Sequence, residues 1–288
     1  MHVNGKTCKN RITWSPPGKP IQLPCRRCIG CRAAKTKEWA VRCVHEAQLY
    51  ENNSFITLTY ADEHMPADGS VNHRHWQLFF KKLRKKFQSQ IIRFYMAAEY
   101  GEKLGRPHYH ALLFNLAFED RQLWKDQNGT RLYHSPTLTK TWGKGFCSIG
   151  EVNLKTAAYV ARYIMKKMTG DIAETHYQKI DTLTGEIYQV EPEYNQMSRM
   201  PGIGKGWFEK YKSDVYPDDF IIINGQKLST PNYYFQQLKA LEPDFADEIQ
   251  AHRINTAMAQ AENNTPERLA VRQICHEAKF EKYIRPLQ

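Results

Sequence analysis

The sequence predicts an α+β fold: a central, mainly antiparallel sheet of about five strands flanked by helices, with a Cys-rich N-terminal segment and a partly helical C-terminal extension. Short β-branched and aromatic runs recur at "SFITLTY" (54–60), "IIRFYMAAEY" (91–100), "HYHALLF" (108–114) and "FCSIGEV" (146–152). Long helical patterns separate some of these runs and hairpin-like turns separate others. Alternation of that irregular kind builds a sheet with helices against it rather than a repeating parallel βαβ array.

Residues 1–32 are short on periodicity and rich in Pro, Gly and Cys, so they read as a loop region that needs an external tie. In residues 33–50, Trp39, Cys43 and Ala47 recur four apart with Val44 beside them, one apolar helix face with Lys and Arg opposite. After the strand at 54–60 comes the turn "PADGS", and "NHRHWQLFFKKLRKKF" (72–87) is a basic amphipathic helix. The strand at 91–100 passes through the turn "GEKLGRP" into the strand at 108–114. Residues 116–145 read as mixed helix and loop, 146–152 as a strand, and "LKTAAYVARYIMKKM" (154–168) as a helix. Beyond Gly170 the signals weaken. "TLTGEI" suggests a hairpin turn, "GWFEKY" a short helix, and "FIIINGQKL" a strand pair about Asn224-Gly225. Residues 232–252 and 265–283 read as helical, with "ENNTPE" (262–267) as linker and N-cap. The resulting division is 1–50, a Cys-rich segment and basic helix packed on the core; 51–225, the central domain; and 226–288, a mostly helical extension.

Lys+Arg number 41 against 30 Asp+Glu in 288 residues, a formal charge of +11 and a pI of about 9.2. An excess of that size favours a polyanionic partner, because each phosphate neutralised releases a condensed counterion. The opening "MHVNGKTCKNR" lacks an apolar stretch of signal-peptide type, and no run is long enough to span a bilayer, so no membrane association is expected. Seven cysteines, three of them in "CRRCIGC", suit a reducing compartment and a metal cluster better than a disulfide scaffold.

The segment "GRPHYHALLF" (105–114) places His108 and His110 one residue apart in a strand, so both point to the same face. An isolated pair of this kind is usually two ordinary buried histidines. Here Glu99 ends the preceding strand, and if the two strands form a hairpin it returns close to His108. A carboxylate beside two imidazoles is a facial ligand set with open positions. Mixed N/O ligation suits Mn²⁺ or Mg²⁺, with room for a phosphate oxygen. A second pair, His73 and His75, opens a helix, where positions two apart do not share a face, and reads as surface.

On the helix 154–168, a step of about 100° per residue separates two arcs. Leu154, Ala157, Ala158, Val160, Ala161, Ile164, Met165 and Met168 fall in one. Lys155, Thr156, Tyr159, Arg162, Tyr163, Lys166 and Lys167 fall in the other. Tyrosines with a purely structural role belong in the apolar arc. Tyr159 and Tyr163 instead lie with the cations, either as an exposed stacking pair or as two nucleophiles whose phenolates the neighbouring charges favour.

Cys25, Cys28 and Cys31 have C-x₂-C-x₂-C spacing, and Cys8 can close a tetrahedral set around a structural Zn²⁺; His2 or a carboxylate are alternatives for the fourth position. Such a site would present Arg26, Arg27 and Arg32 to DNA. Cys43, Cys147 and Cys275 read as core or incidental positions. The cluster "KKLRKK" (81–86), with Lys81, Lys82, Arg84 and Lys85, is either a solvated helix face or a clamp on a nucleic-acid backbone. Tyr60, Tyr95 and Tyr109 are expected in the core. "GIGKG" (202–206) lacks phosphate-loop spacing and reads as a turn.

Taken together, "PCRRCIGCRAAKTKEWAVRCVHEAQ", "FITLTY", "AAEYGEKLGRPHYHALLF", "YVARYIMKK" and "MSRMPGIGKGWFEKY" resemble the replication initiators of the HUH endonuclease superfamily, specifically the gokushovirus type from small single-stranded DNA phages. The resemblance covers roughly residues 20–225. It implies a rolling-circle nicking and joining enzyme working in the host bacterial cytoplasm on single-stranded origin DNA. It assigns His108 and His110 as metal ligands with Glu99 as third, Tyr159 and Tyr163 as the two nucleophiles, and Lys166 and Lys167 as trailing lysines. Lys155, Arg162 and Lys167 are further candidates for DNA contact. A host helicase and polymerase are expected partners, since no ATP-binding motif is present. Two other readings compete: a non-enzymatic zinc-containing DNA-binding protein, and a hydrolase using metal-bound water.

Overall fold

The computed structural model describes residues 12–14, 21–23, 29–101, 104–127, 129–166, 175–180 and 184–281. By internal contacts it divides into two compact units. One comprises residues 39–210; the other combines 1–38 with 211–288.

The first unit is built on a seven-stranded sheet in which every pairing is antiparallel. Its strands are β3 (Asn53–Thr59), β4 (Arg93–Tyr100), β5 (Pro107–Phe114), β6 (Gln122–Gln127), β7 (Thr130–His134), β8 (Cys147–Gly150) and β11 (Tyr194–Met197). They lie in the order β11-β4-β5-β3-β8-β7-β6. The α+β class with a mainly antiparallel sheet is therefore observed, with seven strands in place of about five.

The two additional elements have identifiable origins. Residues 116–145 are not helix and loop alone; they contain the hairpin β6–β7 before the helix α3 (Pro136–Trp142). The dipeptide Asn128-Gly129 is the sequence signal for that turn, and Gly129 takes φ +74°. Strand β11 joins at the edge beside β4, within a stretch that carries no local strand pattern.

Both faces of the central strands are covered, so β5 reads as an almost unbroken apolar run rather than as clean alternation. One face packs Met96, Ala98, Tyr109, Ala111 and Leu113 against α2 (His73–Lys86) and α3, through Trp76, Phe79, Phe80, Leu83, Leu138 and Trp142. The other packs Tyr95, Ala97, Leu112 and Phe114 against α1 (Ile29–Ala47) and α4 (Leu154–Lys166), through Ala40, Cys43, Ala157, Val160 and Ala161. The helices have local causes. Asn72 caps α2 by accepting from His75 N at 3.1 Å. Ser135 caps α3 in the same way, with Pro136 at its first turn and Gly143 closing it at φ +63°.

A buried charge pair ties three segments of this unit. Arg93 Nε donates to Glu46 Oε1, Glu46 Oε2 accepts from Gly204 N at 2.7 Å, and Arg93 Nη2 donates to Pro201 O at 2.7 Å. Residues 202–206 thus form a turn leading into the helix Lys205–Val215, as expected. A further hairpin, β9 (Gln178–Ile180) with β10 (Ile187–Gln189), surrounds the turn expected at "TLTGEI".

In the second unit, β1 (Ile12–Trp14) pairs with β2 (Ile21–Leu23), so part of the expected N-terminal loop region is a short ribbon. Helix α1 starts at Ile29, earlier than the periodicity suggested. Strands β12 (Phe220–Ile223) and β13 (Gln226–Ser229) form the hairpin expected around Asn224 and Gly225, which sit at φ +51° and +72°. The expected helix at 232–252 is two helices, Asn232–Leu241 and Pro243–Ala259, because Pro243 has no N–H to continue the first. A third spans Pro266–Glu281. Arg253 makes two 2.6 Å hydrogen bonds to Asp219 here. Among the described residues no helix is long and apolar enough to cross a membrane.

Candidate metal centre and the tyrosine helix

Strands β4 and β5 do form the hairpin that brings Glu99 back: Glu99 lies directly opposite His108, and Ala97 opposite His110. On the other side of β5, Thr57 is opposite His110 and Thr59 opposite His108. Alternation then puts Glu99, both histidines and both threonines on the sheet face that α4 covers. Glu99 Oε1 is 2.8 Å from His108 Nε2 and 3.0 Å from His110 Nε2. The ligand atoms of all three lie within 4.8 Å of one another, and Glu99 and His110 are buried.

The far side of each imidazole is held in turn. Arg106 O lies 3.1 Å from His108 Nδ1, and Thr57 Oγ1 lies 2.9 Å from His110 Nδ1. A carbonyl can only accept, so His108 Nδ1 carries the hydrogen and its Nε2 is the atom turned to Glu99. Thr57 can accept from His110 Nδ1 in the same sense. Two imidazole nitrogens and one carboxylate oxygen then converge where a positive charge is required. Either protons or a divalent cation can supply it, so the donor set fits a metal ion. Burial pushes the Glu99 carboxyl up, but hydrogen bonds from His108 and His110 and their charge outweigh it and hold the group at about 2. Glu99 is consequently an anion throughout the neutral range.

Tyr159, on α4, reaches this cluster. Its hydroxyl lies 3.3 Å from His110 Nε2, and the two rings meet edge to face at 4.9 Å. Phe55 packs on both, 5.8 Å from the His110 ring and 6.2 Å from that of Tyr159. Tyr159 is half-buried against the edge of the core rather than standing free with the cations of its arc. Arg162 sits beside it, with its guanidinium carbon 5.4 Å from the ring centroid, and Lys155 is exposed one turn earlier. The backbones of Tyr163 and Lys166 belong to α4; their side chains, and all of Lys167, lie outside the described residues.

The other candidates are placed as follows. Lys81, Lys82, Arg84 and Lys85 are exposed on α2, on the sheet face opposite the histidines. Cys31 and Arg32 are half-buried in the first turn of α1, whereas Cys8, Cys25, Cys28, Arg26 and Arg27 lie outside the described residues. His73 is exposed, but His75 is not merely surface: its Nδ1 lies 2.8 Å from the Tyr60 hydroxyl. Tyr60, Tyr95 and Tyr109 are core residues, as are Cys43 and Cys147; Cys275 is exposed. Thr57 and the Arg106 carbonyl escaped sequence reasoning, because neither carries a motif and only strand pairing reveals them. A cavity of about 550 Å³ between α2 and β11, lined in part by His73, Arg74, Tyr194 and Arg199, contains none of the three clustered residues.

Fold and site define an α+β protein with a candidate divalent-cation centre built on an antiparallel sheet and approached by a helical tyrosine. Comparison with known proteins narrows the class. Residues 53–168, from β3 past the end of α4, match the family model for replication-associated proteins of the ORF2 type. The chain is 33% identical to the replication-associated protein ORF2 of Spiroplasma virus 4, over 91% of this chain and 80% of that protein. It is 32% identical to the replication-associated protein VP4 of Bdellovibrio phage phiMH2K, over 77% of this chain and 69% of that protein. It is 27% identical to the replication-associated protein ORF4 of Chlamydia phage 1, over 76% of this chain and 54% of that protein. No solved structure matches. The chain belongs to this family of phage replication-associated proteins and is a replication initiator of the gokushovirus type.

Proposed function

We propose that the protein starts rolling-circle replication by nicking and rejoining single-stranded DNA at an origin, through a 5′-phosphotyrosyl intermediate. The placement of the Tyr159 hydroxyl 3.3 Å from His110 Nε2, at the rim of the Glu99–His108–His110 cluster, is the observation that carries this reading.

His108, His110 and Glu99 would hold Mn²⁺ or Mg²⁺, which supplies Lewis-acid polarisation of the scissile phosphate. Thr57 and the Arg106 carbonyl fix the ring orientations, a role that outer partners of metal-binding histidines commonly have. The phenolic oxygen of Tyr159, having given up its proton, attacks phosphorus. The bond from phosphorus to the 3′ oxygen breaks, that oxygen departs and takes a proton, and the 5′ phosphate stays on the tyrosine. Arg162 beside Tyr159, with Lys166, favours the phenolate. The ester is close in energy to the bond it replaced, so a later 3′-OH reverses the step and seals the strand. Tyr163, one turn along α4, serves the second cut while Tyr159 is occupied.

The nuclease domain in this reading is 51–225, flanked by the Cys-rich segment 1–50 and the extension 226–288. Cys8, Cys25, Cys28 and Cys31 would hold a structural Zn²⁺ that presents Arg26, Arg27 and Arg32 to DNA. The cations of α2, with Lys155, Arg162 and Lys167, are further contacts to the backbone. Host helicase and polymerase complete the process in the bacterial cytoplasm. The test is incubation with single-stranded origin DNA and Mn²⁺. A covalent protein–DNA adduct is expected, and it should fall sharply in Tyr159→Phe and vanish in Tyr159→Phe/Tyr163→Phe. Cleavage that yields no adduct would instead establish the water-based hydrolase.

A further inference from the structure

The row of side chains that contains the metal cluster does not stop at the histidines. Thr59 is opposite His108 in the β3–β5 register. Across β3 on its other side, Thr59 N and Thr59 Oγ1 both donate to Phe146 O, at 3.0 and 2.9 Å. Leu58 pairs with Cys147, and both of these face the α2 side of the sheet, so Phe146 projects to the opposite side, the side of the histidines. Glu99, His108, Thr59 and Phe146 therefore form one line across four adjacent strands.

Beyond Phe146 the line continues as aromatic surface. Trp124 sits in β6 where the pairing with β7 skips a residue, a bulge that re-aims a side chain. Its ring centroid is 4.9 Å from that of Phe146, and the His134 ring lies nearly parallel to Phe146, at 11° and 6.3 Å. Trp124 is 53% exposed, Phe146 44% and the adjoining Leu123 58%. Large side chains left open together in this way mark a binding surface.

The position of Phe146 is imposed by the residue before it. Gly145 has φ +154°, and a Cβ there would come within 2.5 Å of Ala61 N and Thr59 O. Only glycine lets the backbone approach β3 closely enough to set Phe146 beside Thr59.

Charge identifies what would lie on these rings. Residues 121–146 carry Arg121, Lys125, Arg131, Lys140 and Lys144 against a single acid, Asp126, and Arg131 Nε already occupies that acid at 3.1 Å. Exposed aromatic rings among cations suit unpaired bases linked by phosphates, since every base has a stacking face whatever its identity. From His108 to Phe146 is two strand spacings, about 10 Å, or roughly three nucleotides at the stacked rise.

We infer that Phe146 and Trp124 form a base-stacking platform that receives the single DNA strand on one side of the cleavage point, a few nucleotides from the metal centre. This rests on the reading of the protein as acting on single-stranded DNA, and it deepens that reading by giving the path of the strand.

The experiment measures equilibrium binding of the full chain, by fluorescence anisotropy in EDTA, to a homothymidine oligonucleotide and to an abasic oligonucleotide of equal length. Trp124→Ala and Phe146→Ala should each weaken binding to the thymidine strand by about tenfold. Binding to the abasic strand should be unchanged, and Trp124→Phe and Phe146→Tyr should recover most of the loss. Equal affinities for wild type and the alanine variants would overturn the inference. Equal losses on both oligonucleotides would also overturn it, since that pattern means a general loss of fold or charge. So would a change in oligomeric state on sedimentation, which would make the patch a contact between copies of the chain. Because no metal is present, the result is independent of the nicking reaction. Absence of a covalent adduct would refute the tyrosine mechanism while leaving the platform intact, and an adduct with unchanged binding would do the reverse.

Discussion

Replacing Thr57 with valine tests the metal centre without touching any ligand. The side chain keeps its shape and its strand preference, and loses one hydroxyl. That hydroxyl lies 2.9 Å from His110 Nδ1 and is the partner that leaves Nε2 turned towards Glu99 Oε1, 3.0 Å away. In Thr57→Val the His110 ring is released to rotate, and its proton has no preferred nitrogen. Loss of such an outer partner lowers metal affinity by about 10–100-fold. That range corresponds to about 1.4–2.8 kcal/mol. It matches the removal of one hydrogen bond with a polar atom left unsatisfied. The assay is calorimetric titration of the metal-stripped protein with Mn²⁺. Thr59→Val is the control: Thr59 belongs to the same strand and the same face, but its hydroxyl donates to Phe146 O rather than touching a histidine. Thr59→Val should bind Mn²⁺ as wild type does. An unchanged dissociation constant in Thr57→Val, or equal weakening in both variants, would refute the assignment of Thr57 as the group that orients His110.

Two further outcomes concern the scaffold. Glu46→Ala leaves Arg93 buried without its carboxylate and removes the acceptor of Gly204 N, so urea unfolding should show a loss of about 3–5 kcal/mol; a loss under about 1 kcal/mol would mean that the pair does not hold these segments together. His45, buried and stacked on Trp207 at 3.5 Å, is held neutral by burial, which lowers its titration to about 3. An unfolded histidine titrates near 6.5, so between about pH 6.5 and 3 the unfolded chain binds the extra proton and stability falls as pH falls. His45→Gln should reduce the stability difference between pH 7 and pH 5 by about 2 kcal/mol in denaturant titrations, and a variant with the wild-type slope would contradict this.

Much of the site was legible in the chain because its parts are close in sequence. Glu99, the turn at 101–106 and the pair His108/His110 form one local hairpin. Once the two strands are recognised, alternation fixes which side chains share a face. The helix of Tyr159 was equally plain from its period, although the hydroxyl's approach to His110 was not. The hairpin β6–β7 was present in the sequence as Asn128-Gly129 and was passed over because its strands are polar and exposed, without an apolar alternation to announce them.

The amino-acid sequence by itself determined the α+β class, the candidate ligands, the basic character and the family. Each of these follows from residue type, local spacing or similarity along the chain. Tertiary structure decided which strands are neighbours: β3 beside β5, which gives His110 its Thr57; β8 beside β3, which sets Phe146 in line with the histidines; and β11 at the edge beside β4. Pairing between distant strands depends on burying two faces at once and on helices packing from either side. The energy that selects one pairing over another therefore belongs to the assembled sheet and to no single segment of the chain.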